Sequence, residues 1–155
     1  MKHMKHIWSI LCQNSIIDSE TNTISLYNSL EEIKINIDKS KMPADEQIKL
    51  PIEYDVVSFW IDEDDDINKE RKFYTEVELL DPNKKIISST STEYIMKKGI
   101  KRVRGRIKNK GLKITIEGRY WFKVKMKEKK SDKFKEVAEV PLDIIISYKI
   151  LDSKK

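Results

Sequence analysis

Between Val137 and Ile150 the chain alternates with a period of two. Ala138, Val140, Leu142, Ile144, Ile146, Tyr148 and Ile150 fall on one phase, and Val137, Glu139, Pro141, Asp143, Ile145, Ser147 and Lys149 on the other. Only in extended chain do alternate side chains share a side, so the stretch predicts a long strand with one face in a core and the other mostly in water. Pro141 has no N–H to give to a ladder, which places it at an edge, at a bulge, or where a long strand changes sheets.

The same pattern recurs upstream. Tyr120, Phe122, Val124 and Met126 oppose Arg119, Trp121, Lys123, Lys125 and Lys127, while Phe73, Thr75, Val77 and Leu79 oppose Tyr74, Glu76, Glu78 and Leu80. The latter strand stops at the turn Asp81-Pro82-Asn83 and predicts a hairpin to Lys85–Ile95, whose Ser88-Ser89-Thr90-Ser91-Thr92 run is rich in hydroxyls and reads as an edge strand. Further strands are read at Ile7–Gln13, Glu31–Ile37, Ile52–Ile61, Ile100–Lys108 and Leu112–Glu117, with a short one at Thr23–Tyr27. Ser29-Leu30-Glu31-Glu32 also matches a helix capping box, but the alternating isoleucines after it leave room for one turn at most. Loops are expected at Asp38–Lys49, Asp62–Glu70 and Glu128–Lys135.

Short strands at close spacing with almost no helix signal define the fold class: all-β, a two-sheet antiparallel sandwich of about nine strands. With 155 residues, one domain spanning 1–155 buries about two-thirds of the surface that the unfolded chain exposes. Charged residues make up 37% of the chain, above the usual quarter, yet the apolar residues gather in runs, which argues against disorder. The single cysteine, Cys12, lies in the apolar run Ile10-Leu11-Cys12 and reads as a small buried hydrophobe. The basic start is followed by an apolar stretch interrupted at Ser9 and ended at Gln13-Asn14, so no export signal is expected. No run reaches the roughly 20 apolar residues that cross a bilayer. A cytoplasmic location, with no membrane partner, is the expectation.

Gly118-Arg119-Tyr120-Trp121-Phe122-Lys123-Val124, preceded by Leu112-Lys113-Ile114-Thr115-Ile116, resembles the paired strands around the tyrosine corner of immunoglobulin-like sandwiches. The connection is shorter here and the paired cysteines are absent. The resemblance implies architecture only, with the two strands in opposite sheets. Trp8-Ser9-Ile10-Leu11-Cys12, then Ile16-Ile17-Asp18 and Ile24-Ser25-Leu26, resembles a family of small prokaryotic β proteins of no known activity, and transfers no catalytic or binding residue.

Charge is divided along the chain. Residues 1–82 hold 9 Lys/Arg against 18 Asp/Glu, a net −9, whereas residues 83–155 hold 22 against 8, a net +14. From Lys97 to Lys113 there are nine cations and no acid. Alternation puts Arg102, Arg104, Arg106 and Lys108 on one strand face at a spacing of roughly 7 Å, a row suited to phosphates or carboxylates. These four are the candidate anion-binding residues. A second basic face sets Trp121 among Arg119, Lys123, Lys125 and Lys127, where the indole could stack a base or lie under lysine stems. The plainer reading of both faces is neutralisation by the acidic half.

Other chemistry is poorly provided for. His3 and His6 with Cys12 cannot complete a zinc shell without carboxylates from elsewhere. Asp62-Glu63-Asp64-Asp65-Asp66 is dense in carboxylates, but an EF-hand register beginning at Asp62 puts Ile67 where the turn glycine belongs and Phe73 where the bidentate glutamate belongs. There is no Gly-x-Ser-x-Gly, Gly-rich phosphate loop or His-Glu-x-x-His. No catalytic, metal or cofactor residue is assigned, and no cofactor is expected. The first expectation is a non-enzymatic module that binds another protein or its own copies, resting on the Ser88–Thr92 strand. The second is nucleic-acid or polyanion binding through the arginine row, and the third is a hydrolase with the acidic loop at its mouth.

Overall fold

The computed structural model describes residues 3–38 and 47–149. They form nine strands: β1 (Met4–Ile17), β2 (Ile24–Ser29), β3 (Glu32–Asp38), β4 (Ile48–Asp62), β5 (Arg71–Leu80), β6 (Ile86–Met96), β7 (Arg102–Ile114), β8 (Gly118–Lys127) and β9 (Lys135–Lys149). One sheet has the order β2-β1-β4-β7 and the other β3-β9-β8-β5-β6. Among the described residues there is no helix, and hence none long and apolar enough to cross a membrane.

Alternation decides which face of each strand enters the core. Phe73, Val77 and Leu79 of β5, Tyr120, Phe122 and Val124 of β8, and Leu142, Ile144 and Ile146 of β9 are buried together with Leu11, Tyr54, Val56 and Trp60 of the four-stranded sheet. Two aromatic pairs join the layers: Tyr54 meets Phe122 edge-on at 5.8 Å and Trp60 meets Phe73 at 5.4 Å between ring centres. The two sheets thus share one core in a sandwich-like arrangement. Ala138 and Val140 pack against its margin, Tyr148 is exposed, and Ile150 lies outside the described residues, as does most of the expected Asp38–Lys49 loop.

Two expectations change, and one open alternative closes in favour of the strand. The four-stranded sheet is antiparallel throughout, but the five-stranded sheet is mixed, because β3 runs parallel to β9 with Ile33, Ile35 and Ile37 opposite Ile144, Ile146 and Tyr148. No hairpin joins these two strands, so no turn imposes their direction, and the match of apolar phases suffices. The segments read as separate strands at Ile100–Lys108 and Leu112–Glu117 are one strand, β7. It passes through Gly111 at φ 84°, opposite an extra residue in β4 between Leu50 and Glu53 that accommodates Pro51. The capping box at Ser29 starts no helix, and β3 begins at Glu32.

Other expectations hold. β6 is an edge strand. β9 pairs with β3 only from Asp143 onward, so Pro141, opposite Trp121, sits where β9 is itself an edge. β7 and β8 lie in opposite sheets. At their junction the Tyr120 hydroxyl donates to the Ile116 carbonyl at 2.6 Å and accepts from the Thr115 and Ile116 amides at 2.9 and 3.1 Å, satisfying backbone groups that the crossing leaves without a ladder.

Candidate functional site

β4 is apolar on both faces. Tyr54, Val56 and Trp60 enter the core between the sheets, whereas Val57 is fully buried on the opposite face beside Cys12 of β1. A strand apolar on both sides needs cover on both sides. The cover is the β1–β2 hairpin. Beyond Cys12, β1 leaves β4 and pairs only with β2, and the hairpin curls over the outer face of its own sheet. Its tip is shaped by Asp18, whose Oδ1 accepts from the Glu20 and Thr21 amides, and by Asn22 at φ 55°.

The arginine row holds this curl in place. Arg102, Arg104, Arg106 and Lys108 stand opposite Ile61, Phe59, Val57 and Asp55 of β4 and share the outer face, as the alternation predicts. Arg104 Nη2 donates to the carbonyl and the side-chain oxygen of Asn22, both at 2.6 Å, and Arg106 Nη1 donates to the Ser15 carbonyl at 3.2 Å. Ser15 Oγ donates to the buried Asp55 carboxylate at 2.6 Å, and Lys108 Nζ approaches that carboxylate at 4.0 Å. Burial, with Asp55 nearby, pushes the Cys12 thiol up, which suits a packed and unreactive sulfur.

Charge neutralisation divides the two basic faces. On the five-stranded sheet Arg119 makes a forked bond to Asp143 at 2.7 and 2.9 Å, Lys123 lies 3.5 and 3.6 Å from Glu136 and Glu139, and Lys125 lies 2.7 and 3.7 Å from Glu78 and Glu76. Lys125 donates to Glu78 and holds that carboxyl below its ordinary value. Trp121 stands in register between Leu80 and Pro141. Neutralisation accounts for Arg119, Lys123 and Lys125, while Lys127 donates to the Lys130 carbonyl at 3.0 Å and lies over the Phe134 ring at 4.5 Å. It does not account for β7: among the described residues the row's one ion pair is that of Lys108, and Arg104 and Arg106 donate to neutral oxygens that leave their charge in place.

The acidic loop turns back on the chain. Asp62 Oδ1, Asp64 Oδ1 and Asp66 Oδ1 accept in succession from the amides of Asp64, Asp66 and Asn68. Arg71 Nε meets Asp62 Oδ2 at 2.7 Å, and its Nη2 meets Asp64. Beside it lies an open cleft of about 540 Å³ lined by His3, Glu70, Arg71, Lys72, Glu128 and Asp132. Glu128 Oε1 accepts from the His3 and Met4 amides, both at 2.7 Å, so this acid of the cleft secures the start of β1. His6 stacks edge-on against Trp60 at 4.9 Å, and burial lowers the pKa of its imidazole.

Two aromatics belong beside the arginine row that the sequence reading left out. Trp8 and Phe59 pair across β1 and β4 with ring centres 5.7 Å apart, half-buried, and Phe59 stands opposite Arg104. The signal for Phe59 was present: in Val56-Val57-Ser58-Phe59-Trp60-Ile61 it shares the phase of Val57 and not that of Trp60. No family model matches the chain and no curated protein shows similarity to it.

Proposed function

We propose that the protein is a non-enzymatic binding module that works through protein–protein contacts, with the free edge of β6 as its docking strand. The observation that carries the reading is the character of that edge. Edge strands are ordinarily blunted by lysine, proline, bulges or shortness. β2 has six residues, and β7 bristles with arginine and lysine. β6 has eleven residues with neither lysine nor proline, and from Ser88 to Thr92 it carries hydroxyls alone. Its one irregularity lies at the start, opposite Leu79 and Leu80. Among the described residues its outer edge pairs with no strand. Such an edge supplies main-chain hydrogen bonds to an extended segment.

An immunoglobulin-like sandwich is part of this reading, supported by the Tyr120 contact and by the passage from one sheet to the other at Glu117, and so is a cytoplasmic location. So is the resemblance to the small prokaryotic β proteins. A hydrolase gains no support, since the carboxylates of the acidic loop are taken up by Arg71 and by backbone amides.

The test is a photo-crosslinking residue placed at Ser91, which is exposed, in cells producing the full chain. One discrete adduct, with another protein or with a second copy, is expected, and it should vanish when Ser89 and the neighbouring Glu93 are both changed to lysine. Absence of any adduct at Ser91, with amides of β6 exchanging equally fast in buffer and in lysate, overturns the reading.

A further inference from the structure

We propose that the outer face of the four-stranded sheet, along β7, binds single-stranded nucleic acid, with Arg102, Arg104 and Arg106 following the phosphates and the Trp8–Phe59 pair receiving a base. This site is separate from the β6 edge and stands or falls independently of it.

The charge pattern selects a polyanion. On the opposite sheet Arg119, Lys123 and Lys125 meet carboxylates and Lys127 donates to the Lys130 carbonyl, whereas on β7 Arg104 and Arg106 donate to the carbonyls of Asn22 and Ser15 and Arg102 is exposed. A carbonyl orients a guanidinium without cancelling its charge, so both side chains are held in place and stay positive. Their rotamer freedom is already spent on the hairpin, which lowers the entropic cost of meeting a phosphate. The site is bounded at both ends. Lys108 is drawn to Asp55 at 4.0 Å, and Lys5, across from Ile61, is paired with Glu63 at 3.2 Å. Between those two pairs lie three cations, spaced along an extended strand by about 7 Å, and Lys110 follows beyond Lys108 opposite Glu53.

The aromatic pair selects the single-stranded form. Trp8, Phe59 and Arg104 occupy one rung across β1, β4 and β7, so a base plane stacked on the indole lies two strands, roughly 9–10 Å, from a guanidinium that can hold its phosphate. In a duplex the bases are already stacked on one another and the aromatic pair would have nothing to receive. A sulfated polysaccharide likewise offers charge without a flat ring.

The experiment measures anisotropy of a labelled oligo(dT) of about 15 nucleotides, its duplex and heparin competitor, together with tryptophan fluorescence. Trp60 is buried and Trp121 lies on the other sheet, so quenching reports on Trp8. Three neutralised phosphates predict a slope of log affinity on log salt of about −2, close to a 20-fold loss between about 50 and 200 mM salt. Arg102→Gln, which removes no hydrogen bond among the described residues, should lower that slope by about 0.7 with the melting temperature unchanged. Trp8→Leu should weaken the single strand about 5-fold or more and remove the quenching, while heparin binding stays as it was. If Trp8→Leu also lowers the melting temperature, the Arg102→Gln slope and the wild-type preference for single strand over duplex decide. No binding at about 50 mM salt overturns the proposal. So does equal binding of duplex and single strand, or a slope unmoved by Arg102→Gln.

Discussion

Replacing Gly105 by alanine pits two opposite effects against each other at one atom. Glycine in a strand interior is entropically unfavourable, and its φ here is not in the left-handed region, so an open site would gain roughly 0.5–1 kcal/mol from alanine. The site is closed. A Cβ on Gly105 would meet the Tyr94 hydroxyl head-on, with the ring's Cζ at 2.7 Å and Cε1 at 3.3 Å. Carbon atoms prefer about 3.5–4.0 Å, so Cζ stands about 1 Å inside contact. Tyr94 has little room to retreat, because its ring stacks on the buried Phe73 with centres 5.1 Å apart and planes 24° apart. Overpacking of this kind costs about 1–3 kcal/mol, which exceeds the entropic gain. Gly105→Ala should therefore lower the urea midpoint and the melting temperature, the latter by about 2–4 °C per kcal/mol for a chain of this size. Tyr94→Phe removes the most crowded atom, so the double variant should lose less than the sum of the single losses. A Gly105→Ala protein as stable as the parent, or strictly additive costs, would refute the reasoning.

Tyr120→Phe strips three hydrogen bonds from the backbone at Ile116 and Thr115 and should cost about 1–3 kcal/mol in chemical denaturation with β-sheet circular dichroism retained; a loss below about 0.5 kcal/mol contradicts it. Burial lowers the His6 pKa in the folded protein, so its contribution is fully present above the unfolded value of about 6.5 and is lost as pH falls from there through the folded value. Subtracting the stability profile of His6→Gln from that of the parent should show this decline on the acid side of pH 6.5, and a flat difference would count against it. Millimolar calcium should leave the melting temperature unchanged, because Asp62 and Asp64 already hold Arg71 and successive backbone amides; a rise of several degrees refutes that.

Faces were legible from residue types alone, because alternation is a property of each strand taken singly. Phe73, Val77, Tyr120, Phe122, Leu142 and Ile144 enter the core that their phase predicts, and the hydroxyl run Ser88–Thr92 marks a true edge. The coincidence of Arg102, Arg104 and Arg106 on one side of β7 was legible for the same reason. What those arginines face was not. Asn22 and Ser15 lie far from them in sequence and reach them only because β1 parts from β4 and curls the hairpin back over the sheet. Neutralisation is likewise non-local: the acids of β5 meet Lys125 of β8, while no acid of the same half reaches Arg102, Arg104 or Arg106 among the described residues. The parallel union of β3 with β9 belongs to the same category. An isoleucine stripe states which side is apolar, but not which strand lies beside it or which way that strand runs, since those depend on packing between segments that no turn connects.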